Sequence, residues 1–259
     1  SIMALDRIDN IWTGVYLGKD ALGYYSRAFS FSTYTRILFA PIENVLAGTY
    51  AELKSNRSKL SVVFNTASSI IIWSSFALCG MLTVVSKEFI LIVLGSKWLP
   101  MLDAFRLLLI FMMIDPLRKI LGHIFIAVGK PEALIPSLIV RFIVFGAGLY
   151  TLGFKYGIIG VAASAVLMLI AGNAVALLQL RKYIDFSVMR MFGGPAICLI
   201  ISGSILYLLG GTYEGIYSQN MIVSPLIKAA TFLLIFLSLF ILFFQKDFKL
   251  WRSLLLPSK

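Results

Sequence analysis

The chain has 259 residues, 59% of them apolar and only 14% charged, and its mean hydropathy is +0.92. A water-soluble fold cannot bury that much apolar surface, and several apolar runs reach the ~20 residues that cross a bilayer as a helix. The net charge of +11 invites a nucleic-acid partner, but the lysines and arginines are scattered as short basic loops between apolar runs, so no nucleic-acid role is expected. Cys79 and Cys198 both lie inside apolar runs, without a disulfide framework or a Cys/His cluster; neither a metal nor a cofactor is expected.

In chain order, Ile2 to Gly18 reads as a short helix. Gly23 to Lys54 reads as one helix with Pro41 inside it, a residue that membrane helices tolerate by local adjustment. After the basic loop Glu52 to Lys59, Leu60 to Val85 is a clean span. Ser86 to Trp98 is too short to span and reads as an interfacial helix ending at Gly95, with Trp98 at headgroup level. Leu99 to Val128 is a long helix rich in charge. A turn at Gly129 to Ala133 leads to a span over Leu134 to Leu152, a turn at Phe154 to Gly157, and a span over Ile158 to Leu180. Met191 to Leu209 and Val223 to Phe244 are the last spans, separated by a loop at Gly210 to Asn220. A basic amphipathic tail, residues 246–259, suits the cytoplasmic leaflet. The expected class is an all-α polytopic membrane bundle with about seven transmembrane helices. With the C-terminus in the cytoplasm, eleven loop lysines and arginines fall inside and five outside, the bias of a membrane protein in that orientation.

Four motifs punctuate this series. Asp9, Gly14, Gly18, Leu22, Gly23, Tyr24 and Tyr25 form an Asp-bearing helix followed by a Gly-x-x-x-Gly-x-x-x-Leu-Gly-Tyr-Tyr turn. Leu94 to Pro100 reads LGSKWLP, Phe125 to Leu134 reads FIAVGKPEAL, and Lys155 to Ala165 reads KYGIIGVAASA. In this order they resemble the polysaccharide (O-antigen-type) flippases, within the wider group of multidrug, oligosaccharidyl-lipid and polysaccharide exporters. The resemblance covers residues 5 to 182, and the last two helices are generic. Because the first motif opens the second half of such proteins, residues 1–259 are expected to be one transmembrane bundle, the C-terminal half of a flippase. Residues 1–18 would then be a truncated helix, although Met3 is an alternative start.

Charges inside spans are the informative positions, since each costs roughly 2.5–3.5 kcal/mol at mid-membrane on insertion scales. Arg36 and Glu43 lie seven apart, on one face of a continuous helix. Asp115, Arg118 and Lys119 fall at i, i+3 and i+4, with His123 a turn on. Arg141 is alone in its span. The candidate cavity residues are Arg36, Glu43, Asp115, Arg118 and Arg141, with Asp9 a coupling or structural carboxylate. One reading is a cationic cavity for an anionic phosphate, which arginine's planar fork suits. Two others stay open: interhelical ion pairing (Asp115 with Arg118 or Lys119, Glu43 with Arg36 or Arg141), and snorkelling of Arg106, Arg118 or Lys119 to headgroups. The lone His123 fits packing better than proton relay, and Gly160, Ser164 and the adjacent alanines suit close helix packing.

No Asp-x-Asp, His-Glu-x-x-His, Gly-x-Ser-x-Gly or Walker pattern occurs, so an enzyme is not expected. The resemblance implies a multi-pass protein of the cytoplasmic (inner) membrane. It would flip a polyprenyl-diphosphate-linked glycan by alternating access between two bundles, for O-antigen, lipopolysaccharide or similar polysaccharide biosynthesis. The implied partners are the lipid-linked glycan, membrane lipids, the polysaccharide polymerase machinery, and a missing N-terminal half or a second copy. The alternatives are a multidrug or small-solute exporter of the same group and a membrane enzyme of glycan assembly, though the outside loops are too short for the latter.

Overall fold

Hydrophobic spacing and helix breakers decide the architecture of the computed structural model, which describes residues 2–53, 56–209 and 223–244. The expected tail and the loop after residue 209 lie outside these residues. All regular structure among the described residues is helical: α1 (Ile2–Tyr16), α2 (Lys19–Thr33), α3 (Ala40–Leu53), α4 (Arg57–Val84), α5 (Ser86–Val93), α6 (Leu102–Ala127), α7 (Ile135–Gly148), α8 (Phe154–Leu180), α9 (Gly194–Leu208) and α10 (Val223–Phe243). Four stretches among them are long and apolar enough to cross a membrane. One of these, Pro131–Leu180, has 50 residues and folds back on itself at Gly157, where φ is 59° and ψ is −136°. This is the turn expected over Phe154 to Gly157. The chain is a polytopic helical membrane bundle.

α6 is the central helix, packing against α2, α3, α4 and α8. Its apolar residues go all the way round, as a buried helix requires, and Phe105, Leu108, Leu109, Ile120, Leu121 and Ile124 are all buried. Its 26 residues would measure about 39 Å along the axis, enough to span. The charges of Asp103, Arg106, Asp115, Arg118 and Lys119 set it apart from an ordinary lipid-facing segment.

α7 packs chiefly against α8, and small residues let the two backbones approach. A methyl group added at Gly148 would run into Ser164, and one at Gly160 would overlap the Leu152 carbonyl. The last two helices lie to one side, packing on each other and on α4. Phe232, Phe236 and Phe240 recur at four-residue spacing and are buried, so one stripe of α10 faces inward. Trp73 of α4 meets that stripe, with its ring 4.4 Å from Phe240. Leu234, Leu242 and Phe243 on the rest of α10 are exposed, which suits acyl chains.

The four described residues with positive φ are all glycines, Gly18, Gly95, Gly129 and Gly157, and each stands at a helix junction. A left-handed backbone there clashes with a Cβ, so glycine punctuates the fold. One expectation is corrected. Gly23 to Lys54 is not a continuous helix: α2 already begins at Lys19, a 3₁₀ segment covers Tyr34–Leu38, and α3 starts afresh at Ala40.

Candidate functional site

The broken helix originates in its sequence. Pro41 has no N–H and its ring crowds the carbonyl of Ile37, four residues back, so a regular helix cannot continue through this point. A run of hydroxyl residues precedes it, and their side chains bond back to carbonyls three residues earlier. Ser32, Thr33 and Thr35 donate to the carbonyls of Phe29, Ser30 and Ser32 at 2.7–2.8 Å. Side-chain bonds of this local kind compete with helical geometry. The resulting 3₁₀ segment carries Arg36.

α6 presents the partner. Arg36 Nε donates to Asp115 Oδ2 at 2.8 Å, and Arg118 Nε donates to Asp115 Oδ1 at 2.7 Å. The Asp115 side chain is 1% exposed, against 22% for Arg36 and 14% for Arg118. Taking an ion out of water costs several kcal/mol, so a lone carboxylate here would be untenable; two guanidinium partners make it tolerable. The trio still carries one surplus positive charge, and Lys119 adjoins it in sequence. Arg36 Nη2 is buried without a hydrogen-bond partner among the described residues.

The backbone at this point is adapted too. Pro116 follows Asp115 and leaves the Met112 carbonyl without its helical donor. Ser75 of α4 supplies a substitute, its hydroxyl lying 3.0 Å from the Met112 oxygen and 3.3 Å from that of Met113. A neighbouring helix re-satisfying a proline-freed carbonyl is how such prolines persist in membranes.

On the other side of Arg118, a groove of about 320 Å³ opens between α6 and α7. Its lining includes Arg118, Lys119, His123, Ser137 and Arg141. Arg141 is 5% exposed and donates from Nη2 to Asn173 Oδ1 on α8 at 3.0 Å. Ser137 donates to the Gly172 carbonyl at 2.8 Å. Gly172 makes room for Arg141, since a Cβ there would overlap its side chain. The volume is at the small end for ligand pockets, and suits a compact polar group.

The candidates therefore divide. Arg36, Asp115 and Arg118 come together, and Arg141 adjoins them across the groove. Asp9 stands apart: it is buried between α1 and α2, where the Tyr25 hydroxyl donates to its Oδ2 at 2.8 Å and Ser26 bonds Asn10 at 2.7 Å. Glu43 lies on α3, but its side chain is outside the described ones, and the break at residues 34–38 interrupts the helix on which its spacing from Arg36 was reckoned. Three contributors were missed. Asn173 was legible as one of two amides, with Gln179, in an apolar span. Ser75 carried no signal beyond being a hydroxyl in a span. Lys228, near the start of α10, pairs with Glu88 of α5 at 2.6 Å, and a cation inside the last span could have pointed to it.

Taken together, these features define a polytopic helical membrane protein with arginines gathered inside its bundle. Residues 2–103 match the family described as polysaccharide biosynthesis protein. The chain is 29% identical over 126 residues to the teichuronic acid biosynthesis protein TuaB of Bacillus subtilis (strain 168), covering 48% of this chain and 26% of that protein. It is 26% identical over 148 residues to an uncharacterized membrane protein in the cps region of Klebsiella pneumoniae, covering 56% of this chain and 30% of the other. Among solved structures it resembles the lipid II flippase MurJ in its inward closed conformation, with a TM-score of 0.76 at 16% identity over 94% of this chain and 52% of that one. The matched segments thus span under a third of the length of these two sequence relatives, and the shared fold about half of MurJ. The matched segment and the two relatives make the chain similar to membrane proteins of polysaccharide biosynthesis, and its fold is shared with a lipid flippase.

Proposed function

We propose that this chain is part of a transporter, not an enzyme, that moves a polyprenyl-diphosphate-linked glycan from the cytoplasmic to the outer leaflet of the cytoplasmic membrane for polysaccharide biosynthesis. The observation that carries this reading is the arginine track inside the bundle: Arg36 and Arg118 on one carboxylate, then Arg141 across a groove from Arg118. Buried arginines in a membrane protein mark pathways for anions, and a diphosphate offers oxygens to match their forks. The broken helix that carries Arg36 also suits the role, because discontinuous helices commonly build substrate sites in transporters that rock between two states.

In this reading a second bundle faces the first and closes the cavity, supplied by a further part of the protein or by a second copy. The glycan polymerase machinery would take the product. The loops bearing Lys130 and Arg181 face the cytoplasm. A strain lacking the gene tests the proposal. Wild-type protein restores surface glycan, whereas Arg36→Gln or Arg141→Gln at normal membrane levels restores at most about a tenth, the loss expected when about 1.4 kcal/mol of binding is removed. Full restoration by both variants, or efflux of cationic dyes without glycan export, would instead support a small-solute exporter.

A further inference from the structure

A second groove, of about 620 Å³, lies at the end of the bundle that carries the Arg57–Asp185 pair. It forms where α8 gives way to α9, and its lining changes character along its length. Arg181 and Ser187 stand in the connection between the two helices, beside Phe186, and Val188, Phe192 and Ala196 continue the wall. Val188 to Ala196 is about 12 Å of helix, so the apolar part runs inward from the helix end. Phe192, Ala196 and Ile200 recur at four-residue spacing and share one face. The first two line the groove, and Ile200 beyond them is exposed. The groove therefore opens onto an outward apolar face of the bundle, the kind that acyl chains cover.

The rim of this groove is cationic. Arg181 is exposed, and its guanidinium lies 6.0 Å from the centre of the Phe186 ring. Lys182 beside it is exposed as well. Asp185, the only carboxylate in the connection, pairs instead with Arg57 of α4 at 3.0 Å. An apolar slot with a cation at its surface end is the complement of an acyl chain with an anionic head. We infer that the groove holds an anionic phospholipid of the adjoining leaflet, with its phosphate on Arg181 and one chain along Val188, Phe192 and Ala196. Arginine suits a phosphodiester because its planar fork donates to two oxygens, and basic pockets between membrane helices hold acidic head groups. Met189–Gly193 wind as a π-helical turn beside it, a geometry concentrated at functional sites. The bound lipid also ties α9 and α10, which pack on α4, to the end of α8. The site involves none of the arginines around Asp115, so it stands or falls separately from the transport reading.

The test is native mass spectrometry of the intact protein, titrated with dioleoylphosphatidylglycerol or with dioleoylphosphatidylcholine, which counts bound lipids and reads the oligomeric state together. Wild type is expected to bind phosphatidylglycerol more tightly. Arg181→Gln should weaken that binding about fivefold, the factor for about 1 kcal/mol per basic residue at an anionic head group. Phosphatidylcholine, whose choline cancels the phosphate charge, should be affected less. Ala196→Trp fills the apolar part of the groove and should weaken both lipids. Lys130→Gln, at the same end but outside the lining, should change neither. Equal affinity of wild type for the two lipids overturns the inference. So does a loss in Lys130→Gln as large as that in Arg181→Gln, which would mean diffuse attraction to the surface. Undiminished phosphatidylglycerol binding by Ala196→Trp would place the lipid elsewhere and likewise overturn it. A dimer that survives saturating phosphatidylglycerol and is abolished by Ala196→Trp would give the groove to a second copy of the chain instead.

Discussion

Pro116 and Ser75 show how single residues sustain the site. Without an amide at position 116, the Met112 carbonyl depends on the Ser75 hydroxyl at 3.0 Å. Interhelical hydrogen bonds in membrane proteins average about 0.6 kcal/mol and reach about 1.7, so Ser75→Ala should destabilise by about 1 kcal/mol. With Pro116→Ala in place, the restored amide covers the same carbonyl, and Ser75→Ala should then cost much less. A double-mutant cycle in detergent unfolding measures this; equal costs in both backgrounds would show that the hydroxyl does something else. At this scale the sequence revealed which residues were unusual but not how they pair. Arg36, Asp115, Arg118 and Arg141 stood out because a charge in an apolar run needs a reason. The Arg36–Asp115 bond joins residues 79 positions apart, and no periodicity in one helix could show that.

Among the elements, the second helix is the most consequential. Its break follows from the hydroxyl run at Ser30 to Thr35 and from Pro41. Both are visible in the sequence, yet a proline in a membrane helix is compatible with a mere kink. What turns the kink into a break is the accumulation of competing side-chain bonds just before it. Pro41→Ala is expected to extend α3 back through Tyr34–Leu38. Hydrogen exchange over residues 34–38 should slow, and glycan export should fall at unchanged membrane level, because Arg36 would turn away from Asp115. Unchanged exchange would assign the break to the hydroxyls alone. Other junctions were more legible. The glycines of the four sequence motifs include Gly18, Gly95, Gly129 and Gly157, the four described residues with positive φ. Two of the motifs also meet in space: Tyr24 of the first packs edge-on to Trp98 of the second at 5.8 Å, with the Arg27 guanidinium 5.7 Å from that ring.

For the molecule as a whole, contacts sort the loops onto two ends. At one end lie Tyr24 against Trp98, Trp12 against Phe154 at 5.0 Å, and Glu88 against Lys228. At the other, Arg57 pairs with Asp185 at 3.0 Å and Phe125 meets Tyr183 at 6.1 Å. This is the grouping that alternate crossing of a membrane requires. The basic bias of the loops is the ground for proposing that the second end faces the cytoplasm. Single cysteines in a cysteine-free background check this: Lys155→Cys should react with a membrane-impermeant maleimide in intact cells, and Glu132→Cys only after permeabilisation. The reverse pattern would invert the bundle. The general architecture was legible because lipid permits so few solutions. The site was less so, because it is assembled from a helix break, a central helix and a hairpin that only the fold brings together.

The central claim is that arginines inside the bundle carry the substrate's phosphate. The most direct measurement is the rate at which purified protein flips a fluorescent polyprenyl-diphosphate glycan in proteoliposomes, compared with Arg36→Glu and Arg141→Glu. The account predicts that wild type flips the lipid and that each reversal reduces the rate to background while the protein remains folded and reconstituted. Flipping at the wild-type rate by both variants would contradict it.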